Sequence, residues 1–97
     1  MLLYKDKSLK EKVEILDFGI VKAGESKIYE YYVYNDTIAE LTALTFAINH
    51  KEVKITEAPK ELSSKTIGKL IIKWEPSITL KEGLKTTLQV KGEEIYK

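Results

Sequence analysis

The chain has 97 residues, and its 16 basic residues, all lysine, nearly balance 15 acidic residues. This length predicts one domain, and a hydrophobic fraction of 43% is enough for one core. The absence of cysteine excludes disulfides and thiol chemistry. The absence of arginine, with lysines spread along the chain, argues against specific nucleic-acid recognition, although an AT-rich genome would also favour lysine.

The N-terminal segment carries no secretory signal, because its apolar residues give way to charge after Tyr4. No apolar run approaches the roughly 18 residues of a membrane span. We interpret residues 1–12, which carry four lysines, as an N-terminal arm, and residues 13–97 as the domain. The arm is either frayed or ordered by a partner.

Short segments alternate apolar and polar residues, as β-strands do. The clearest is Lys27–Asn35, which is rich in tyrosine and β-branched residues. Glycine, proline and asparagine separate the segments. The pattern predicts an all-β fold, specifically an immunoglobulin-like β-sandwich of about seven antiparallel strands. Asn49–Lys51 lies between two alternating runs and is predicted to be a hairpin loop. The other strand-like segments are Val13–Phe18, Leu44–Ile48, Val53–Ile55, Lys69–Glu75 and Leu84–Val90.

Four short motifs follow one another along residues 13–92. They are Leu16-Asp17-Phe18-Gly19-x-Val21-x-x-Gly24-Glu25, Val33-x-Asn35, Leu70-x-Ile72-x-Trp74-x-Pro76 and Leu88-x-Val90-x-Gly92. This order resembles the Hydin-type and major-sperm-protein-like group of immunoglobulin-like domains, in which phenylalanine is more usual at the position of Trp74. The resemblance implies a scaffold or docking module without a shared active site. The segment Leu41–Leu62 matches no part of the pattern, so the pairing of its strands is not predicted.

Each motif residue has a physical role in such a fold. Gly19 and Gly24 allow a bend with positive φ, and Phe18 closes one end of the core. Asn35 is expected to hydrogen-bond the backbone of its own loop. Pro76 ends a strand because it has no N–H to donate to a neighbouring strand.

The sequence offers no catalytic constellation. The single histidine, His50, lies in a predicted turn, without a second histidine or a cysteine to share a metal. Glycine-rich phosphate loops, calcium loops and nucleophile elbows are also missing. We therefore predict no catalytic residue, metal ligand or cofactor site, and no enzyme.

The tyrosines of the segment Lys27–Asn35 are the feature that points to binding. If Tyr29, Tyr31 and Val33 face the core, the alternate residues face outward. Exposed tyrosine is typical of interfaces. We predict a candidate interface of Ile28, Tyr32 and Tyr34. Two alternatives are that these side chains merely cover the sheet and that the N-terminal arm packs over them.

Together these patterns predict a non-enzymatic structural or binding module. The leading hypothesis is a small accessory or decoration subunit of a multi-copy assembly, such as a phage capsid or tail, so that the protein would be found in the virion. The alternative is a soluble adaptor that binds a partner protein by adding a strand at a sheet edge. Both hypotheses require a protein partner, and neither requires nucleic acid, membrane or cofactor.

Overall fold

The computed structural model describes residues 1–96, which form eight strands. The expected all-β sandwich is confirmed, with one strand more than the sequence predicts; its immunoglobulin-like topology stays a prediction. The strands are β1 (Leu2–Tyr4), β2 (Leu16–Gly19), β3 (Lys27–Tyr34), β4 (Glu40–Ile48), β5 (Val53–Glu57), β6 (Ile67–Trp74), β7 (Leu84–Thr86) and β8 (Leu88–Ile95).

The first layer is a four-stranded antiparallel sheet in the order β1-β3-β6-β5. Its longest pairing joins β3 to β6 over eight residues each, with Tyr31 opposite Leu70 and Lys27 opposite Trp74. The second layer contains the antiparallel pairs β2–β7 and β4–β8. Only Thr87 separates β7 from β8, so these two strands follow one another almost without a break and connect the two pairs.

The core lies between the layers and draws on both of them. Trp74, Leu70 and Ile72 of β6 are fully buried, and Phe18 of β2 is 1% exposed. The Phe18 ring lies 4.5 Å from the Tyr29 ring and 6.1 Å from that of Trp74, between centroids. Phe18 therefore closes the core, as its motif predicts.

The bend after β2 is built from glycine, also as predicted. Gly19 and Gly24 have φ of 67° and 82°, values that are strained for residues with a Cβ atom. The register between β2 and β7 shifts at Gly19. The Tyr29 hydroxyl donates a hydrogen bond to the Phe18 carbonyl and so links β3 to the strand that precedes the bend.

The prediction of a hairpin at Asn49–Lys51 is wrong. β4 pairs with β8 and β5 pairs with β6, so this connection crosses from one layer to the other. An alternating pattern on both sides of a turn is shared by hairpins and by such crossings, so local pattern cannot separate them. The segment Leu41–Leu62, whose pairing was not predicted, also contains a bridge between its two end residues.

The N-terminal segment carries a strand that its composition did not predict. β1 pairs with β3 and places Leu3 opposite Val33. After a loop the chain returns along β1, where the Val13 N–H donates to the Leu3 carbonyl at 2.8 Å and Tyr4 bridges Lys12. The chain then crosses to the second layer and continues as β2.

Burial of Tyr31 predicts a loss of stability in alkali. Desolvation, assisted by Tyr29 and Asp17, raises the pKa of Tyr31 to about 12 from its usual 10.0. The raised pKa means that the folded state favours the neutral Tyr31 side chain. Its contribution to the free energy of unfolding is therefore fully present below pH 10.0 and is lost as the pH rises toward 12. We expect the urea midpoint, followed by Trp74 fluorescence, to fall more steeply above pH 10.0 in the native chain than in Tyr31→Phe. Equal slopes in the two proteins would contradict this origin.

Candidate protein-docking face

The predicted interface residues lie on the outside of the four-stranded sheet. Tyr31 and Val33 of β3 are buried, whereas Ile28 is 63% exposed and Tyr32 and Tyr34 are half-buried. Because β3 lies between β1 and β6, its outward side chains are near the middle of a surface and not at a rim. The strand's inward residues fill the core, so the outward residues stand on a rigid support.

Four apolar neighbours that the sequence interpretation missed extend this surface. In antiparallel pairs, residues directly opposite one another share a face. Leu2 and Tyr4 of β1 lie opposite Tyr34 and Tyr32, and Ile67 of β6 lies opposite Tyr34 on the other side. Ile71 lies opposite Glu30 and Glu57. We define the docking face as Leu2, Tyr4, Ile28, Tyr32, Tyr34, Ile67 and Ile71.

Ile71 shows which signal could have found these residues. It interrupts the alternation of β6, since Leu70, Ile71 and Ile72 are consecutive apolar residues. Leu70 and Ile72 are fully buried, and Ile71 is half-buried on the opposite side. When strand alternation places an apolar residue on the outer face of a sheet, that outer face carries apolar surface at this point.

Charged side chains lie among and around these apolar groups. The Lys69 ammonium is 3.1 Å from the Glu30 carboxylate, and its hydrogen bond to Glu30 raises the pKa of Lys69. At one end of the sheet Lys73 lies 2.7 Å from Glu75, whose pKa is lowered by the hydrogen bond from Lys73. Binding interfaces typically have an aromatic and apolar centre with a polar rim, and here the Lys69–Glu30 ion pair lies within the face.

The loop after β1 brings another cation to the tyrosines. The Lys7 ammonium lies 5.9 Å from the centroid of the Tyr32 ring, within the range of a cation–π contact. Asp6 orders this loop, because its carboxylate accepts the N–H groups of Lys10 and Glu11 at 3.1 and 2.9 Å. A hydrogen bond from Ser8, with these backbone bonds, lowers the pKa of Asp6.

A shallow cavity of about 260 Å³ opens on the docking face. Its walls include the Tyr32 ring, Ile67 and the two lysines Lys7 and Lys69. Apolar walls together with two lysines suit an inserted side chain that has an apolar body and a polar or acidic tip.

Asn35 anchors the end of β3 from beneath this face. It is fully buried, and its side-chain NH₂ donates to the carbonyls of Ala39, Leu62 and Ser63 at 2.8, 3.0 and 3.1 Å. Its side-chain oxygen accepts the backbone N–H and the hydroxyl of Thr37. The predicted hydrogen bond to its own loop is therefore present, and the network also reaches a second loop that sequence did not indicate.

His50, the single histidine, has a local backbone role. Its Nδ1 accepts the N–H of Glu52 at 3.2 Å in the connection between β4 and β5. Over residues 1–96, no group of three or more histidine, aspartate and glutamate side chains is placed to hold a metal ion. The same residues contain no helix with the length and apolar character needed to cross a membrane.

Comparisons of this chain with protein-family models, with curated proteins and with solved structures give no match. The resemblance to Hydin-type and major-sperm-protein-like domains therefore stays a prediction from its motifs.

Proposed function

We propose that this chain is a non-enzymatic docking module, a small accessory or decoration subunit that attaches to a multi-copy protein assembly such as a phage capsid or tail. The observation that carries the proposal is the docking face. It combines an exposed Ile28 and Ile67 with two half-buried tyrosines on the two central strands of the sheet.

The chemistry of the face favours a protein partner. Tyrosine provides a large, stiff contact area with a polar tip, and such residues often supply most of the binding energy of an interface. Lys7 and Lys69 add charge at the cavity, where an acidic or hydroxyl-bearing side chain of the partner would be held. A repeated partner surface would bind one copy of this chain at each repeat.

The double substitution Tyr32→Ser and Tyr34→Ser tests the face. Both side chains point away from the core, so we expect the thermal midpoint and the Trp74 fluorescence to change little. Attachment to purified assemblies from the cells that produce the chain, measured by co-sedimentation, should weaken at least about tenfold. The control is Ile20→Ser with Ile78→Ser, which removes two large apolar side chains outside the face that are 61% and 63% exposed.

The control should co-sediment as the native chain does. Equal attachment of native chain and tyrosine variant would refute the docking face. If the native chain is missing from the assemblies at any stoichiometry, the proposal of an accessory subunit fails as a whole.

A further inference from the structure

The second layer has an open strand position beside β8. β2 pairs with β7 and not with β8, because Lys12 and Val13, which precede β2, lie in the other layer beside β1. Within residues 1–96, β8 pairs with β4 alone. The other side of β8 therefore presents backbone N–H and C=O groups that can pair with another strand.

The gap continues inward as a groove that both apolar and polar side chains line. Leu88 of β8 packs on the core, and Val90, two residues on, faces the same side by the period of a strand. Val90 is nevertheless 37% exposed. Two adjoining cavities of about 350 and 340 Å³ share Val90 as a wall, and Leu3, Val33 and Leu44 also line them. Such exposure of a core-facing residue indicates that none of the described strands covers this edge of the sandwich.

The charges of β8 indicate what pairs there. Two β8 strands from two copies, run antiparallel about a two-fold axis, must keep core-facing residues opposite core-facing residues. An axis through Lys91 would set lysine against lysine, and one through Glu93 would set glutamate against glutamate. An axis through Gly92 sets Lys91 of each copy against Glu93 of the other, giving two complementary pairs.

We infer that the free side of β8 binds a second copy of this chain, forming a symmetric dimer with Gly92 at the two-fold axis. The second layers of the two copies then form one continuous sheet. The docking face belongs to the other layer, so each copy retains its own. The inference does not depend on the proposed function and is tested on the purified chain alone.

A charge exchange tests the register. Sedimentation equilibrium from micromolar to near-millimolar concentration should show a dimer for the native chain. Lys91→Glu and Glu93→Lys, separately, should each weaken dimerisation about tenfold or more, because each sets like charges opposite one another twice. The double variant, and an equimolar mixture of the two single variants, should restore it, since opposite charges again meet.

Lys81→Glu, the same charge change in an exposed turn outside β8, is the control and should dimerise as the native chain does. Trp74 fluorescence verifies that every variant is folded. A native chain that stays monomeric throughout this range overturns the inference. So does a dimer that Lys91→Glu leaves intact, or one that the charge exchange fails to restore.

Discussion

Replacing Asn35 by aspartate is expected to destabilise the fold by about 4 kcal/mol or more, although the two side chains have nearly the same shape. The amide NH₂ of Asn35 donates to three carbonyl oxygens, and its residue is fully buried. In the variant, a carboxylate oxygen would face those three oxygens without a proton between them. The free energy of unfolding, from urea titrations followed by Trp74 fluorescence, measures the loss.

The pH dependence of the variant separates this cause from a packing defect. Because one oxygen of the new carboxyl would face three carbonyl acceptors in a buried site, its folded-state pKa should lie above its unfolded value, and the variant should be least destabilised in acid. The variant should therefore recover stability as the pH is lowered toward the usual range for aspartate, relative to the native chain. Asn49→Asp, in an exposed turn, is the matched control and should change stability by less than about 0.5 kcal/mol. A mild, pH-independent effect at Asn35 would contradict the network.

Replacing Trp74 by alanine should cost about 3–5 kcal/mol, a large part of the stability of a domain of this size. Trp74 is fully buried and packs near Phe18 beneath β3. Its Nε1 is buried and makes no hydrogen bond to the other described residues, which penalises the folded state. Trp74→Phe removes that unpaired group along with some volume, so it should cost only about 1.5 kcal/mol or less.

Thermal unfolding followed by far-ultraviolet circular dichroism measures both variants, since tryptophan fluorescence is lost with the side chain. Tyr96→Ala, which removes an aromatic ring that is 62% exposed, is the control and should leave the thermal midpoint nearly unchanged. Equal losses for phenylalanine and alanine at position 74 would show that ring packing contributes little and would contradict this account of the core.

The sequence predicts on which face of the sheet each β3 side chain lies, because the apolar alternation and the position of the motif assign the same residues to the core. Tyr31 and Val33 are buried as that parity requires, and Ile28 is exposed. The bend glycines and the role of Phe18 were predictable for the same local reason. Backbone conformation and side-chain direction depend mainly on neighbouring residues along the chain.

Strand partners were not predictable in this way. β1 is three residues long, and its place beside β3 depends on contacts between Leu3, Val33 and the returning Val13. The sequence around Asn49–Lys51 predicts a hairpin and not a crossing, because the choice between layers is made by distant strands. The same limit hid Leu2, Tyr4 and Ile67 from the candidate interface, since their parity is known only once the register is known.

Oxidative footprinting of the tyrosines, in the free chain and in the chain bound to its assembly, tests the docking face most directly. The account predicts that Tyr32 and Tyr34 lose reactivity on attachment. Tyr31 should be unreactive in both states because it is 4% exposed. Unchanged reactivity of Tyr32 and Tyr34 in a stoichiometric complex would contradict the account and assign attachment to another surface.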